Sequence, residues 1–160
     1  MNIETTRLLL YPISDEGMQH LIEEEKDAAM RQAYKEMLQG CRDFPGERMW
    51  YALWQMELKE KPGTIVGSFC FKGKGEDGVV EIGYGLHGGF CGNGYMTEAL
   101  NIVAEWVLKQ TGVEKIIAET DDENESSQKV LLRAGFRFSG KNGAEGPIYE
   151  RKDTIICQAN

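Results

Sequence analysis

Between Gly75 and Leu108 this chain contains no lysine and no arginine. Histidine is scarce as well, with only His20 and His87, and the four cysteines (Cys41, Cys70, Cys91 and Cys157) form no Cys-x-x-Cys pair. So thin a supply of thiol and imidazole ligands speaks against a zinc site and against a disulfide framework. No metal is expected, and a reduced, cytoplasmic protein is. Long apolar runs are missing too. None approaches the roughly 20 residues of a membrane span, and the opening MNIETTRLLLYP lacks the charged-then-apolar order of a secretory signal. Basic charge is in deficit: 18 Lys and Arg against 26 Asp and Glu leave a net charge of −8. That balance argues against a general nucleic-acid binder. It suits a cationic partner, or an acidic surface that is simply solvated.

With 160 residues, 41% of them hydrophobic, the chain has the size of one domain with its own core. We read residues 1–153 as that domain and 154–160 as a tail with little pattern, expected to fray. RLLLYPI (7–13) predicts a first strand, stopped by Pro12 and Ser14. Ser14 suits an N-cap, with Asp15 and Glu16 in the first turn. Helically spaced apolar residues from Met18 to Leu38 then predict one or two helices ending at Gly40. A loop over 41–48 follows. Trp50, Ala52, Trp54, Met56 and Leu58 alternate and predict a strand, joined as a hairpin across Pro62-Gly63 to TIVGSFCF. The aromatic group Trp50, Tyr51 and Trp54 reads as core and rim. VVEIGYGL predicts the next antiparallel strand. From Met96 to about Gln110, Met96, Ala99, Leu100, Val103 and Val107 form one helix face. KIIAET is a strand, 125–134 a helix ending at Gly135, and FRFSG and PIYERK are closing strands. The order β-α-β-β-β-α-β-α-β-β predicts an α/β fold with a mixed sheet (α+β in layering).

The segment without basic residues holds the stretch 87-HGGFCGNGYMTEAL-100, four glycines running into a helix start. Such a turn can hold phosphate through backbone amides and the helix dipole. The P-loop pattern needs a Gly-Lys-Ser/Thr that is absent, and the dinucleotide fingerprint needs a third glycine where Thr97 stands. The preceding unit is also a set of hairpins rather than an opening βαβ. A tight glycine turn with no ligand stays open on these residues alone.

About 24 residues further on comes IIAETDDENESSQKVLLRAGF. CGNGYMTEAL and N-E-x-S-x-x-V-L-x-x-x-G-F together resemble the GNAT superfamily of acyl-CoA N-acyltransferases. Within it the resemblance is to the RimJ/RimL-like ribosomal-protein N-acetyltransferases, and ETTRLLLYPI is similar to that group's first strand. The resemblance covers nearly the whole chain. It implies a central, mostly antiparallel sheet whose fourth and fifth strands splay apart, flanked by helices. It implies acetyl-CoA as cosubstrate, with no metal. The family loop pattern Q/R-x-x-G-x-G/A falls on Cys91-Gly92-Asn93-Gly94-Tyr95-Met96, with Cys91 in place of the basic or amide residue and Met96 in place of a small one. The amides of residues 92–97, Thr97 included, would carry the pyrophosphate, with Lys72, Lys74, Lys129 or Arg133 supplying charge from neighbouring elements. Leu86, at the end of the preceding strand, would supply an oxyanion donor, and Asn124 would meet the pantetheine arm. Asn124 equally suits a helix N-cap.

The implied reaction is direct attack of an amine on the thioester in a ternary complex. The acceptor is a protein N-terminal α-amino group or a small amine of aminoglycoside or polyamine type. Glu81 and Glu119 are the candidate bases, on strand faces opposite Val80 and Ile82 and opposite Ala118. His87 is a third, or a turn residue. Many family members place an acidic Tyr where this chain has Leu131, and the RimL-like group offers a Ser, here Ser127. Cys91 at a helix start could also act as a nucleophile, although no orienting carboxylate is evident. A catalytically impaired acyl-CoA-binding module remains the other class. A monomer or a homodimer is expected.

Overall fold

The computed structural model describes residues 1–153. The expected fraying of 154–160 lies outside the described residues. Three of the predicted boundaries move, each for a visible reason. A two-residue strand, β1 (Ile3–Glu4), precedes the first predicted one, β2 (Leu8–Pro12), and pairs with it antiparallel. It is too short to leave a period in the sequence. After β2, Ser14 caps α1 (Asp15–Glu24) by accepting the Gly17 N–H, and Asp27 caps α2 (Ala28–Asp43) by accepting that of Met30. Gly40 does not end α2. It lies inside the helix because the Tyr51 ring packs where its side chain would be, with Cδ1 only 2.5 Å from an ideal Cβ. Pro45 then opens a 3₁₀ turn, Pro45–Trp50, so the strand expected from Trp50 begins at Trp54.

The remaining elements follow the sequence reading closely. They are β3 (Trp54–Leu58), β4 (Ile65–Phe71), β5 (Val79–Leu86), α3 (Tyr95–Leu108), β6 (Lys115–Glu119), α4 (Glu125–Arg133), β7 (Arg137–Asn142) and β8 (Pro147–Lys152). With β1 and β2, the strands form among the described residues one eight-stranded sheet in the order β1-β2-β3-β4-β5-β6-β8-β7. Every neighbouring pair is antiparallel except β5 and β6, which are parallel because α3 crosses between them.

Strand parity decides which residues meet which helices. Leu8, Leu10, Trp54, Met56, Phe69, Phe71, Val80, Ile82, Ile116 and Ala118 all point to the α3 side and form the main core with Leu100, Val103 and Leu131. Ile13 and Leu53 join Met18, Ile22 and Leu38 of the α1–α2 hairpin in a second cluster on the opposite face. The aromatic group lies in the core and at its rim as expected. Trp54 stacks on Phe69 at 5.4 Å and donates its indole N–H to the Met49 carbonyl at 2.9 Å.

One departure from regularity makes the site. β5 and β6 pair only over Val79–Glu81 and Lys115–Ile117. Beyond that, β5 follows β4 up to Leu86, while β6 follows β8 up to Glu119. The sheet therefore opens between β5 and β6, and α3 and α4 both start near the opening.

Candidate active site

Two clefts lie along this opening. The first, of about 180 Å³, is lined by Leu86, Cys91, Gly92, Gly94, Tyr95, Met96 and Thr97 together with Ser126, Lys129, Val130 and Arg133 of α4. The loop has the geometry of an anion cradle. Gly92 and Gly94 take left-handed φ of 82° and 77°, which only glycine adopts cheaply. Among the described residues no side chain caps α3, so its first amides remain available. Asn93 turns its carboxamide inward, donating to the Phe90 and Cys91 carbonyls at 3.2 and 3.4 Å. The Met96 side chain is buried in the core, so its bulk is directed away from the loop surface.

The missing positive charge comes from α4. Lys129 and Arg133 face the loop across the cleft, and neither forms an ion pair among the described residues. Lys72 and Lys74, the other two candidates, are engaged elsewhere, with Glu81 at 2.8 Å and Glu47 at 2.7 Å. Backbone amides, a helix start and two unpaired cations are a donor set that fits a pyrophosphate.

The second cleft, of about 340 Å³, gathers Glu81, Glu119, Asn124 and Ser127, all singled out in the sequence, with Lys72, Tyr84, Asp121 and Glu145. Its charge is opposite: four carboxylates against one lysine. Glu81 stands on the face away from the main core, as alternation predicts, and holds Lys72, whose pKa rises through that hydrogen bond. Glu119 is more committed. Its Oε1 accepts the Glu145 amide and, at 3.3 Å, the Gly146 amide, and so ties down the β7–β8 turn. Asn124 caps α4 by accepting the Ser127 N–H at 3.0 Å, the bland role foreseen for it, while also lining the cleft. His87 lies exposed in the turn after β5 and lines neither cleft. Cys91 is exposed and free, with no hydrogen bond to a His or carboxylate among the described residues. Leu131 is fully buried, so the position of the family's tyrosine is core here. Two larger hollows, of about 400 and 610 Å³, lie beside α1 and the N-terminal residues and hold none of the predicted site residues.

Tyr84 is the residue the sequence reading missed. Its hydroxyl and the Ser127 Oγ are 2.6 Å apart, across the opening between β5 and α4. Burial pushes the phenol pKa above its usual value, and the bond to Ser127 only partly offsets this. Tyr84 thus stays neutral and able to donate. The sequence signal was its parity: Tyr84 shares the face of Val80 and Ile82 and reads as core.

The profile of the Acetyltransferase (GNAT) domain matches residues 7–137. The chain belongs to the GNAT acetyltransferase family. Acetyl-CoA is the acyl donor of that family, and the two clefts lie where this fold opens its sheet. An uncharacterized N-acetyltransferase of Bacillus subtilis, YjdG, is 34% identical over 86 residues, which is 53% of this chain and 51% of that protein. The match therefore spans about half the length of the relative. Among solved structures, ribosomal-protein-S5-alanine acetyltransferase from Vibrio fischeri superposes with a TM-score of 0.72 at 19% identity, covering 97% of this chain and 98% of that one. RimL, the ribosomal L7/L12 α-N-protein acetyltransferase, in complex with coenzyme A also gives 0.72, at 17% identity, covering 95% and 98%. At such identities the GNAT fold is what these structures share with this chain.

Proposed function

We propose that this chain transfers the acetyl group of acetyl-CoA to a primary amine by direct attack in a ternary complex, the acceptor being a protein N-terminal α-amino group or a small amine. The observation that carries the reading is the pairing of two clefts of opposite charge along one opening in the sheet, with Tyr84 and Ser127 lining the acidic one. The cationic cleft suits the pyrophosphate of the donor, held by the amides of residues 92–97 with Lys129 and Arg133. The acidic cleft suits a protonated amine. RimJ- and RimL-like neighbours in structure support an α-amino acceptor by analogy alone.

The thioester supplies the activated acyl group. The amine must lose a proton to attack, since free α-amino groups titrate near 8 and lysines near 10.4. Glu81 is the better base, directly or through one water. Glu119 already serves the β7–β8 turn through one oxygen. Backbone near Leu86 donates to the developing oxyanion. Ser127 gives its proton to the departing sulfur, and Tyr84 makes this possible by donating into the Ser127 Oγ, which frees the serine hydrogen to point elsewhere. The free thiols of Cys41, Cys70 and Cys91 support a cytoplasmic setting.

The test is release of free CoA from acetyl-CoA in the presence of two panels, peptides with free N-termini and small polyamines or aminoglycosides. Acceleration by one panel identifies the acceptor class. CoA binding with no amine-dependent release would reassign the chain to the acyl-CoA-binding modules.

A further inference from the structure

The donor loop is held from behind by a residue far away in the chain. Arg7, in the turn between β1 and β2, donates through Nη1 to the Asn93 carbonyl at 2.9 Å. Its Nε donates to Glu98 Oε2 at 2.7 Å, and its own amide donates to Glu98 Oε1 at the same distance. The Thr5 hydroxyl adds a third bond to that carboxylate at 2.6 Å. The guanidinium also lies 4.5 Å from the centre of the Tyr95 ring. Three partners on three sides (a carbonyl, a carboxylate and an aromatic face) fix a side chain that would otherwise have many rotamers. An exposed ion pair alone would be weak, but a planar fork satisfied in several directions has geometric specificity.

The consequence follows from peptide geometry. There are no cis peptide bonds among the described residues, and in a trans peptide unit the C=O and the N–H point in opposite directions. Asn93 O and Gly94 N–H belong to one such unit. Pulling the carbonyl toward Arg7 turns the Gly94 N–H away from Arg7. Gly94 lines the donor cleft and Arg7 does not. The fit behind the loop is close, since a Cβ on Gly94 would sit 3.4 Å from Arg7 Nη2.

We propose that Arg7 is a positioning residue for the donor loop: by holding the Asn93 carbonyl it aims the Gly94 amide into the cleft where the pyrophosphate of CoA is to lie. This rests on the acetyl-CoA reading above. It explains how a loop with no basic residue of its own is kept in a binding geometry, with the charge working through the backbone rather than on the ligand.

The experiment uses the full chain with Arg7→Gln and Arg7→Lys. Calorimetry measures CoA affinity, thermal melts measure stability, and steady-state rates are taken with acetyl-CoA and with acetyl-pantetheine, which has no pyrophosphate. In Arg7→Gln we expect CoA affinity to fall about tenfold, the loss of one charge-assisted bond. KM for acetyl-CoA should rise by more than kcat falls, and the rate with acetyl-pantetheine should fall less than that with acetyl-CoA. Arg7→Lys can restore a pairing with Glu98 but not the fork, so it should recover melting temperature and not CoA affinity. Unchanged CoA affinity in Arg7→Gln overturns the proposal, as does equal loss with both donors. If Arg7→Gln does not fold, Arg7→Lys decides on the same criterion. Wild-type protein that binds no CoA at millimolar concentration would instead overturn the functional reading itself.

Discussion

Removing one oxygen from Tyr84 separates orientation from packing. Tyr84→Phe keeps the buried ring and deletes the bond to Ser127, so kcat should fall about tenfold while CoA affinity stays within about twofold. Ser127→Ala should lower kcat further, by about a hundredfold if the serine is the acid, again with CoA affinity retained. A parallel loss of binding and turnover in either variant would reduce the pair to a packing contact. The two carboxylates divide in another way. Glu81→Gln should depress turnover at neutral pH and recover as pH rises, because the acceptor amine then supplies its own neutral form. Glu119→Gln should instead cost stability, about 1.5–3 kcal/mol for weakening bonds to a charged acceptor, seen as a shift in urea midpoint. A flat pH response in Glu81→Gln would exclude it as the base. At this scale Glu81 and Glu119 were named from strand alternation and Asn124 and Ser127 from the family resemblance, and the structure gathers all four along one cleft. Tyr84 was hidden by sharing its parity with core residues. Arg7 was hidden because its loop partner lies 86 residues away.

Helices and strands were legible where a period could run. β4, β5, α3 and β6 were placed within about two residues, and strand parity correctly sorted Val80 and Ile82 from Glu81. β1 was invisible because two residues make no pattern. The end of α2 was misread because glycine has two uses, breaking a helix and admitting a neighbour, and only the tertiary contact with Tyr51 tells them apart. That contact also makes a prediction against propensity. Gly40→Ala should favour the helix by about 0.8–1 kcal/mol on intrinsic grounds. The new methyl, however, would meet the Tyr51 Cδ1, Cγ and Cβ at 2.5, 2.9 and 3.1 Å. These atoms are the base of the side chain, with little freedom to retreat. Overpacking of this kind costs about 1–3 kcal/mol, so the variant should be less stable in equilibrium denaturation. A gain in stability would mean that Tyr51 swings out freely.

Across the whole molecule, the start of the chain is bound to its middle through one carboxylate. Burial alone would raise the pKa of Glu98, but the Thr5 hydroxyl and the amide and guanidinium of Arg7 outweigh it and hold it below the usual carboxylate value. A depressed pKa in the folded state gives stability that is fully present above the unfolded value and is lost as pH falls through the folded one. The melting temperature of wild type should therefore exceed that of Glu98→Gln at neutral pH, and the gap should close in acid, below about 4.3. A gap independent of pH would mean that the bonds matter without the charge. The long-range tie itself lay beyond sequence reading. Four cations were named for the donor loop from the sequence, and only the three-dimensional arrangement separates Lys129 and Arg133, which face it, from Lys72 and Lys74, which are paired elsewhere.

The opening between β5 and β6 has one more consequence. From Ile82 to Leu86 the β6-facing backbone of β5 has no sheet partner among the described residues. At roughly 3.3 Å per residue that is about 16 Å of hydrogen-bonding edge. On the outside of a sheet such an edge would recruit other chains and aggregate. Here it lies in the interior, between β5 and β6, where the two clefts open onto it. The same backbone that would be a hazard at the rim becomes, in the interior, a row of donors and acceptors facing the clefts.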